Sequence, residues 1–345
     1  RGYAGRGLAG ECERPVEVAD AVLGFATDGS AKPGSATTLR VDALVLHTGE
    51  LTVVSGQTGS GKSTLLRALS GLHSHVDGGF MAGTVQVVGL DRSAVPPRET
   101  ARTVGVVLQH PREAFATERV ADEIGLALEL RGVARVVRDA RVREVAERVG
   151  IVAVLPRPIR GLSAGEATLV AIAAAIVEHP ILLLVDEPLA DLDATARARI
   201  IALLGALAHD AGMGVLVAEH RADELAVVAD RHLTVHDGLL REHDGSPSHD
   251  SSPAPALRAA PTTDGQVVMS TTGLSVRHGS VVAVDNAVLE LRAGEITVLS
   301  GANGAGKSSL LVAIAQSHRG GEVQVTAADA RATTPTIALV PDASD

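Results

Sequence analysis

Short apolar runs recur along the first two thirds of the chain, and polar residues follow them. Four such segments are Leu51–Ser55, Val104–Gln109, Ile181–Val185 and Gly214–His220. Short runs that are apolar on both faces predict buried strands of a parallel sheet. The longer segment Ala167–Val177 predicts a helix between two of them. The alternation of strands and helices predicts an α/β fold with a mostly parallel central sheet.

The alternation stops at residues 242–266, where the chain reads "EHDGSPSHDSSPAPALRAAPTTDGQ". This stretch is rich in Ser, Pro, Asp and Ala and has no hydrophobic period, so it predicts a flexible linker. The alternative is an ordered loop inside one domain. The linker reading divides the chain into a complete domain at 1–241, the linker, and a further segment at 267–345.

The further segment repeats the opening of the first domain. "GELTVVSGQTGSGKSTLL" at Gly49–Leu66 aligns with "GEITVLSGANGAGKSSLL" at Gly294–Leu311, and twelve of these 18 positions are identical. A repeat of such a long period indicates a duplicated domain rather than a solenoid. Residues 267–345 are therefore expected to be the N-terminal part of a second copy.

A glycine-rich loop, "GQTGSGKST", lies between the predicted strand Leu51–Ser55 and a predicted helix, Ser63–Leu72. Glycines let backbone N–H groups converge on one point, and the helix N-terminus favours an anion there. Lys62 can reach the β- and γ-phosphates of a nucleotide, and Ser63 can ligate Mg²⁺. The flanking strand and helix argue against a chance glycine turn. The candidate ATP-binding residues of this loop are Gly56, Gln57, Thr58, Gly59, Ser60, Gly61, Lys62, Ser63 and Thr64.

A second loop of the same spacing follows Ile296–Ser300, which is expected to be a strand. A decayed loop that no longer binds nucleotide is the alternative, and the intact Lys307 and Ser308 argue against it. The candidate residues of this second ATP loop are Gly301, Gly304, Gly306, Lys307, Ser308 and Ser309.

Polar residues follow three of the predicted strands. Asp186 and Glu187 end "ILLLVDEP", His220 ends "GVLVAEH", and Gln109 ends "VGVVLQ". The carboxyl ends of parallel strands meet at one edge of a sheet, where ligands bind. Asp186 can hold Mg²⁺ with Ser63 and Gln109, and Glu187 can act as general base toward water. Capping or surface roles are the alternative for each residue taken alone.

These motifs, in this order, resemble the nucleotide-binding domain of ABC-transporter ATPases. The most specific piece is "LSAGE", which resembles the signature motif LSGGQ of that family; it comprises Leu162, Ser163, Ala164, Gly165 and Glu166. The resemblance implies a P-loop NTPase sheet with an antiparallel β subdomain and a helical signature subdomain. It also implies hydrolysis of ATP with Mg²⁺ as cofactor.

The resemblance assigns further roles. It makes Glu187 the catalytic glutamate, His220 the switch histidine and Gln109 the Q-loop glutamine, and it places Asp193 in the D-loop. Phe25 is near the position of the adenine-stacking aromatic. In the second copy His278 takes the place of Phe25, and Asp342 stands where the first copy has Gln109.

The signature departs from the family pattern. Ala164 and Glu166 replace a glycine and a glutamine, and Leu169 stands where many members have arginine. The methyl group of Ala164 is expected to crowd N–H groups directed at the γ-phosphate.

In this family two nucleotide domains face each other, and each ATP lies between the glycine loop of one and the signature of the other. The loop at Gly301–Ser308 would then pair with Ser163–Gly165. The loop at Gly56–Ser63 would need a second signature, which the sequence lacks before Asp345. We therefore expect a piece of a longer tandem protein; the alternative is a natural tail that caps the first domain.

The expected function is the energising subunit of an ABC importer at the cytoplasmic face of the membrane, with separate transmembrane subunits as partners. Leu108–Glu129 and Ala218–Gly238 are similar to energy-coupling-factor importers of vitamins or metal ions. The alternative is a soluble tandem ATPase acting on ribosomes, although such proteins usually have a longer, charged helical linker. DNA-repair relatives carry zinc modules or coiled coils, whereas this chain has one cysteine and no sustained heptads.

Composition adds three limits. The net charge of −10 argues against a nucleic-acid partner, because duplex binding depends on neutralising phosphates. The single cysteine, Cys12, excludes an internal disulfide. The sequence has no apolar run of the ~18 residues that would indicate a transmembrane helix.

Overall fold

The computed structural model describes residues 13–25, 36–220, 222–242, 266–279, 281–301, 304–317 and 323–325. Apart from its two end residues, the predicted linker lies outside these ranges, as does Asp342. The chain divides into two compact units, Arg1–Ser248 and His249–Asp345, which are described separately.

The first unit is built on one sheet, in which the described residues form ten strands. In chain order they are β1 Val16–Phe25, β2 Ala36–Leu46, β3 Leu51–Gly56, β4 Gly79–Val87, β5 Leu90–Asp91, β6 Val104–Val107, β7 Leu182–Asp186, β8 Gly214–Ala218, β9 Arg231–His236 and β10 Leu239–Glu242. Across the sheet their order is β5-β4-β1-β2-β10-β9-β3-β8-β7-β6.

Half of this sheet is parallel, as the apolar runs predict. Strands β9, β3, β8, β7 and β6 pair in parallel, with Leu183 opposite Val215 on β8. Leu182 and Leu184 face one hydrophobic core, and Leu183 and Val185 face the other. Each strand buries both faces, which explains its uninterrupted apolar sequence.

The other half of the sheet is antiparallel. Strand β1 pairs with β2 and β4, and β4 pairs with β5. Strand β10 is antiparallel to β9 and has a parallel pairing with β2, so it joins the two halves. The antiparallel β region that the resemblance implies is therefore present as a continuation of the parallel sheet.

Helices cover both faces of the sheet. They are α1 Lys62–Ser70, α2 Leu72–His75, α3 Pro97–Thr100, α4 Pro111–Ala114, α5 Val120–Leu130, α6 Arg135–Val149, α7 Ala164–Ile176, α8 Ala194–His209 and α9 Ala222–Leu225. Residues of α5, α6, α7 and α8 form one core with the sheet, and residues of α1 form the other. Among the described residues, no helix has the length and apolar character needed to span a bilayer.

The second unit has a smaller sheet. Its elements are β11 Val267–His278, β12 Val281–Arg292, α10 Lys307–Ser317 and β13 Val323–Val325. The sheet is antiparallel in the order β12-β11-β13, over a small core of Met269, Leu274 and Ile314.

The predicted strand Ile296–Ser300 is wrong: these residues form no regular structure, and Ile296 is 95% exposed. In the first unit the matching strand, β3, pairs with β8 and β9 on either side. The described part of the second unit provides no counterpart of these two strands.

Candidate functional site

The first glycine loop turns tightly between β3 and α1. A Cβ atom at Gly56 would lie 2.6 Å from the carbonyl oxygen of Val235 and 2.7 Å from Oγ of Ser60. Gly61 precedes α1 with φ of 112°, a left-handed conformation that favours glycine. The first N–H groups of a helix lack intrahelical partners and carry partial positive charge. The loop and the start of α1 therefore have the geometry that suits a bound anion.

Lys62 places a buried cation in this loop. Only 3% of the residue is exposed, and its Nζ atom donates hydrogen bonds to the carbonyl oxygens of Gly56 (2.8 Å) and Gln57 (3.1 Å). Burial lowers the pKa of Lys62, while Glu187, Asp186 and Glu219 oppose that shift. The ammonium group thus lies among glycine-loop carbonyls and within the field of three carboxylates.

Asp186 ends β7 and is the more deeply buried of the predicted acid pair. Burial raises the pKa of Asp186, and a hydrogen bond from Ser63 opposes the rise. Its Oδ1 atom is buried and has no hydrogen-bond partner among the described residues. Hydroxyl, amide and carboxylate oxygens suit Mg²⁺. Ser63 and Asp186, with the amide of Gln109, therefore fit the cation that the sequence predicts here.

The carboxylate of Glu187 contacts two other predicted site residues. Nε2 of Gln109 donates a hydrogen bond to Oε2 of Glu187 (2.9 Å), and Nε2 of His220 lies 3.1 Å from Oε1 of Glu187. The same His220 nitrogen is 3.1 Å from Oγ1 of Thr58 and 3.5 Å from Nζ of Lys62. The residues that follow β6, β7 and β8 therefore come together beside the glycine loop.

The backbone at Glu187 has an uncommon conformation. Its φ is 44°, in the left-handed region that non-glycine residues rarely adopt. Its N–H group donates to the carbonyl oxygen of Ala218 (2.9 Å) at the end of β8. The turn after β7 is thus fixed against the next strand, and this turn directs the Glu187 carboxylate toward Gln109 and His220.

Glu219 is a site residue that the sequence reasoning missed. It is 4% exposed and accepts two backbone N–H bonds, from His220 to Oε1 (2.7 Å) and from Leu189 to Oε2 (3.2 Å). An acid that ends a fully apolar strand just before His220 is the signal in the sequence that could have identified it.

The signature motif begins α7. Ser163 caps the helix: its Oγ atom accepts the N–H of Glu166 (3.2 Å), and Oε2 of Glu166 accepts the N–H of Ser163 (2.7 Å). Arg157 donates to Oε1 of Glu166 (2.7 Å), and Arg112 donates to the carbonyl oxygen of Leu162. The acid that replaces the family's glutamine therefore has a charged partner of its own.

Two small residues of the signature pack inward. Ala164 is partly buried and packs against the main core cluster, and the expected crowding by its methyl group stays a prediction. A Cβ atom at Gly165 would come within 2.9 Å of the Cβ atom of Ala196 in α8. Asp193 caps α8 by accepting the N–H of Ala196 (2.8 Å). Side-chain hydrogen bonds join Leu162, Ser163 and Glu166 to Arg112, to Arg157 and to one another.

The candidate adenine contacts remain predictions. Phe25, at the end of β1, is 39% exposed, and its ring lies edge-on to His73 with the centroids 4.9 Å apart. In the second unit, Nε2 of His278 lies 3.0 Å from Oγ of Ser309, directly beside the second loop.

The described residues of the second glycine loop share two features with the first loop. Nζ of Lys307 donates to the carbonyl oxygen of Gly301 at 2.8 Å, the same distance as between Lys62 and Gly56. The φ angles of Gly301 (156°) and Gly56 (153°) also agree. The described part of the second loop is therefore shaped for an anion, although the segment before it is not a strand.

The duplication is also visible in a comparison with protein families. The ABC transporter family model matches residues 39–190 and again residues 284–342. The chain belongs to the ABC transporter family. The family resemblance of the motifs is thereby confirmed, and the α/β fold that it implies is the one observed.

Relatives in this family agree with the assignment. An ABC transporter ATP-binding protein of Streptomyces avermitilis is 33% identical over 89% of this chain and 66% of its own length. The energy-coupling factor transporter ATP-binding protein EcfA1 of Lacticaseibacillus paracasei is 36% identical over 58% of this chain and 69% of its own length. The chain spans between 36% and 66% of the length of the first three curated relatives it matches.

A solved structure shows the same fold. CbiO1 of Clostridium perfringens, part of the ABC transporter complex cbiONQ, superposes with a TM-score of 0.57 at 23% identity, over 66% of this chain and 87% of its own.

Proposed function

We propose that residues 1–241 form an ATPase domain that energises an ABC importer. The observation that carries the proposal is the position of the Glu187 carboxylate, within hydrogen-bond distance of both Gln109 and His220 and beside the buried ammonium of Lys62. A carboxylate held next to a phosphate-binding loop has the position required of a general base toward water.

The residues divide the work of hydrolysis. The glycine loop and Lys62 bind the phosphates, and Ser63, Asp186 and Gln109 would hold Mg²⁺. When bound, the cation neutralises charge that develops on the transferred phosphoryl group. Glu187 takes the proton of the attacking water, and Gln109 and His220 hold the Glu187 carboxylate in place. Asp186 and Lys62 are buried, where the effective dielectric constant is low and the interaction between charges is stronger than in water.

The complete active unit needs a second ABC domain. We infer that 267–345 is the N-terminal part of such a domain, joined by the linker 242–266. The signature at Leu162–Glu166 would complete the ATP site of the facing domain. The hydrogen bond from lysine to the first glycine, which is 2.8 Å long in both loops, supports two nucleotide sites.

The importer assignment rests on sequence. Leu108–Glu129 and Ala218–Gly238 resemble energy-coupling-factor importers, and EcfA1 is among the relatives that this chain matches. We propose that the domain works at the cytoplasmic face of the membrane against transmembrane subunits, and that the cargo is a vitamin or a metal ion.

Phosphate release from ATP tests the enzymatic proposal. The 345-residue chain is assayed with Mg²⁺ beside Glu187→Gln, and ATP binding is measured separately by equilibrium titration. The expected result is a loss of hydrolysis of about 10²- to 10⁴-fold with ATP binding retained. The matched control is Glu242→Gln, which removes a carboxylate that pairs with Arg231 on β9.

The control should hydrolyse ATP at the rate of the unaltered chain. Near-normal turnover by Glu187→Gln would remove the general base from the proposal. An equal loss in Glu242→Gln would show that the assay reports folding rather than chemistry.

A further inference from the structure

Glu219 lies between two parts of the site that are far apart in the sequence, the segments that follow β7 and β8. Its carboxylate joins the N–H of Leu189, within the turn that follows β7, to the N–H of His220, after β8. Glu219, which accepts both bonds, is only 4% exposed. A buried carboxylate is stable only when hydrogen-bond donors replace water, so the loss of either bond would destabilise it.

The turn that Glu219 fixes contains strained backbone. Glu187 has φ of 44° and Asp191 has φ of 55°, both in the left-handed region, and Leu189 lies midway between them. Such conformations persist where surrounding contacts over-determine them. The Glu187 N–H bond to Ala218 fixes one end of the turn, and the Leu189 bond to Glu219 fixes its middle.

We propose that Glu219 is a positioning residue, which holds the Glu187 turn and the His220 backbone in one geometry so that their side chains meet at 3.1 Å. The proposal rests on the proposed ATPase function. Glu219 also adds negative charge near Lys62. Its proposed role is exerted on Glu187 and His220 through the two backbone N–H bonds that it accepts, from Leu189 and from His220.

The variant that tests this is Glu219→Gln. A glutamine has the same shape but only one acceptor oxygen, and its NH₂ group would face one of the two backbone N–H donors. We expect the turnover number to fall about tenfold or more, because small misplacements of a catalytic group are costly. The dissociation constant of ATP should stay within about threefold, since the glycine loop is unchanged. Glu242→Gln serves again as the control for a lost carboxylate.

A double-mutant cycle separates positioning from a general loss of folding. In a Glu187→Gln background, Glu219→Gln should lower the residual hydrolysis little further, because its target is already gone. An equal loss in both backgrounds, or a parallel loss of ATP binding, would overturn the proposal. So would unchanged turnover in the single variant.

Hydrogen exchange gives a readout that does not depend on activity. The amide of Leu189 should exchange faster in Glu219→Gln than in the unaltered chain, while the amides of β3 stay equally protected. Unchanged exchange at Leu189 would contradict the inference. If the unaltered chain fails to hydrolyse ATP but Leu189 behaves as expected, the proposed function fails and the positioning contact stands.

Discussion

The side-chain amide of Gln109 donates a 2.9 Å hydrogen bond to the carboxylate of Glu187, although the two residues follow different strands, β6 and β7. Through this bond, the segment that follows β6 helps to fix the position of the proposed general base, Glu187. That segment continues into α4, where Arg112 donates to the carbonyl oxygen of Leu162, the first residue of the signature. A continuous line of contacts thus runs from the proposed catalytic centre to the motif proposed to serve the facing site.

Gln109→Ala should slow hydrolysis about tenfold and raise the Mg²⁺ concentration needed for half-maximal rate. The substitution removes both the donor to Glu187 and a proposed metal ligand. Phosphate release measured over a Mg²⁺ titration tests this. The neighbouring His110→Ala is the control, and a Mg²⁺ dependence that is the same in both variants would contradict the assignment.

Asp186→Asn should stabilise the nucleotide-free chain at neutral pH while abolishing hydrolysis. Burial raises the pKa of Asp186, so its charged form destabilises the folded state above that pKa. This loss of folding free energy disappears as the pH falls below the ordinary pKa of aspartate, because Asp186 is then protonated in both the folded and the unfolded state. The melting temperature of the variant should therefore exceed that of the unaltered chain at neutral pH, by roughly 2–4 °C for each kcal/mol recovered.

Melting curves at several pH values test the sign of this effect. The difference between the two proteins should close toward about pH 4, near the ordinary pKa of aspartate. A variant that melts below the unaltered chain at neutral pH would show that the Asp186 carboxylate is stabilised in the fold.

Gly56→Ala should destabilise the first domain more than Gly59→Ala does. Both positions have positive φ, in sparsely populated regions that cost an alanine roughly 1–3 kcal/mol. Only Gly56 adds a steric conflict, since its Cβ atom would lie 2.6 Å from the carbonyl oxygen of Val235, whereas nothing lies within 4 Å at Gly59. Urea unfolding of both variants gives the comparison, and equal losses would show that the turn relaxes away from Val235.

Lys62→Ala and Lys307→Ala should remove different phases of ATP binding. Both lysines hold a glycine loop by the same contact, so two binding phases are expected. The second loop follows a segment without strand structure, so its phase should be the weaker one. Titration with a fluorescent ATP analogue tests this. A single phase that Lys307→Ala leaves unchanged would show that the second loop does not bind.

Much of the first domain could be predicted because its signals are local. The strands that end at Val107, Asp186 and Ala218 could be predicted from their apolar sequences, since each strand buries both faces. The polar residues that follow them were expected at one sheet edge, and the structure brings Gln109, Glu187 and His220 together.

The remaining features depend on partners distant in the sequence. Ile296–Ser300 has the same apolar pattern as β3, yet it is not a strand, because strand formation needs neighbours that the described second unit does not supply. The bond of Glu219 to Leu189 joins residues 30 positions apart. The ion pair between Arg157 and Glu166 likewise explains an unusual signature residue only once the fold is known.

A structure of the Glu187→Gln chain with ATP and Mg²⁺ would show directly whether the glycine loop and the residues after β7 form one nucleotide site. We expect the β- and γ-phosphates in the Gly56–Thr64 loop against Nζ of Lys62, with Mg²⁺ at Ser63 and Asp186 and residue 187 facing the γ-phosphate. Nucleotide bound elsewhere, or a cation that does not contact Ser63 or Asp186, would contradict it.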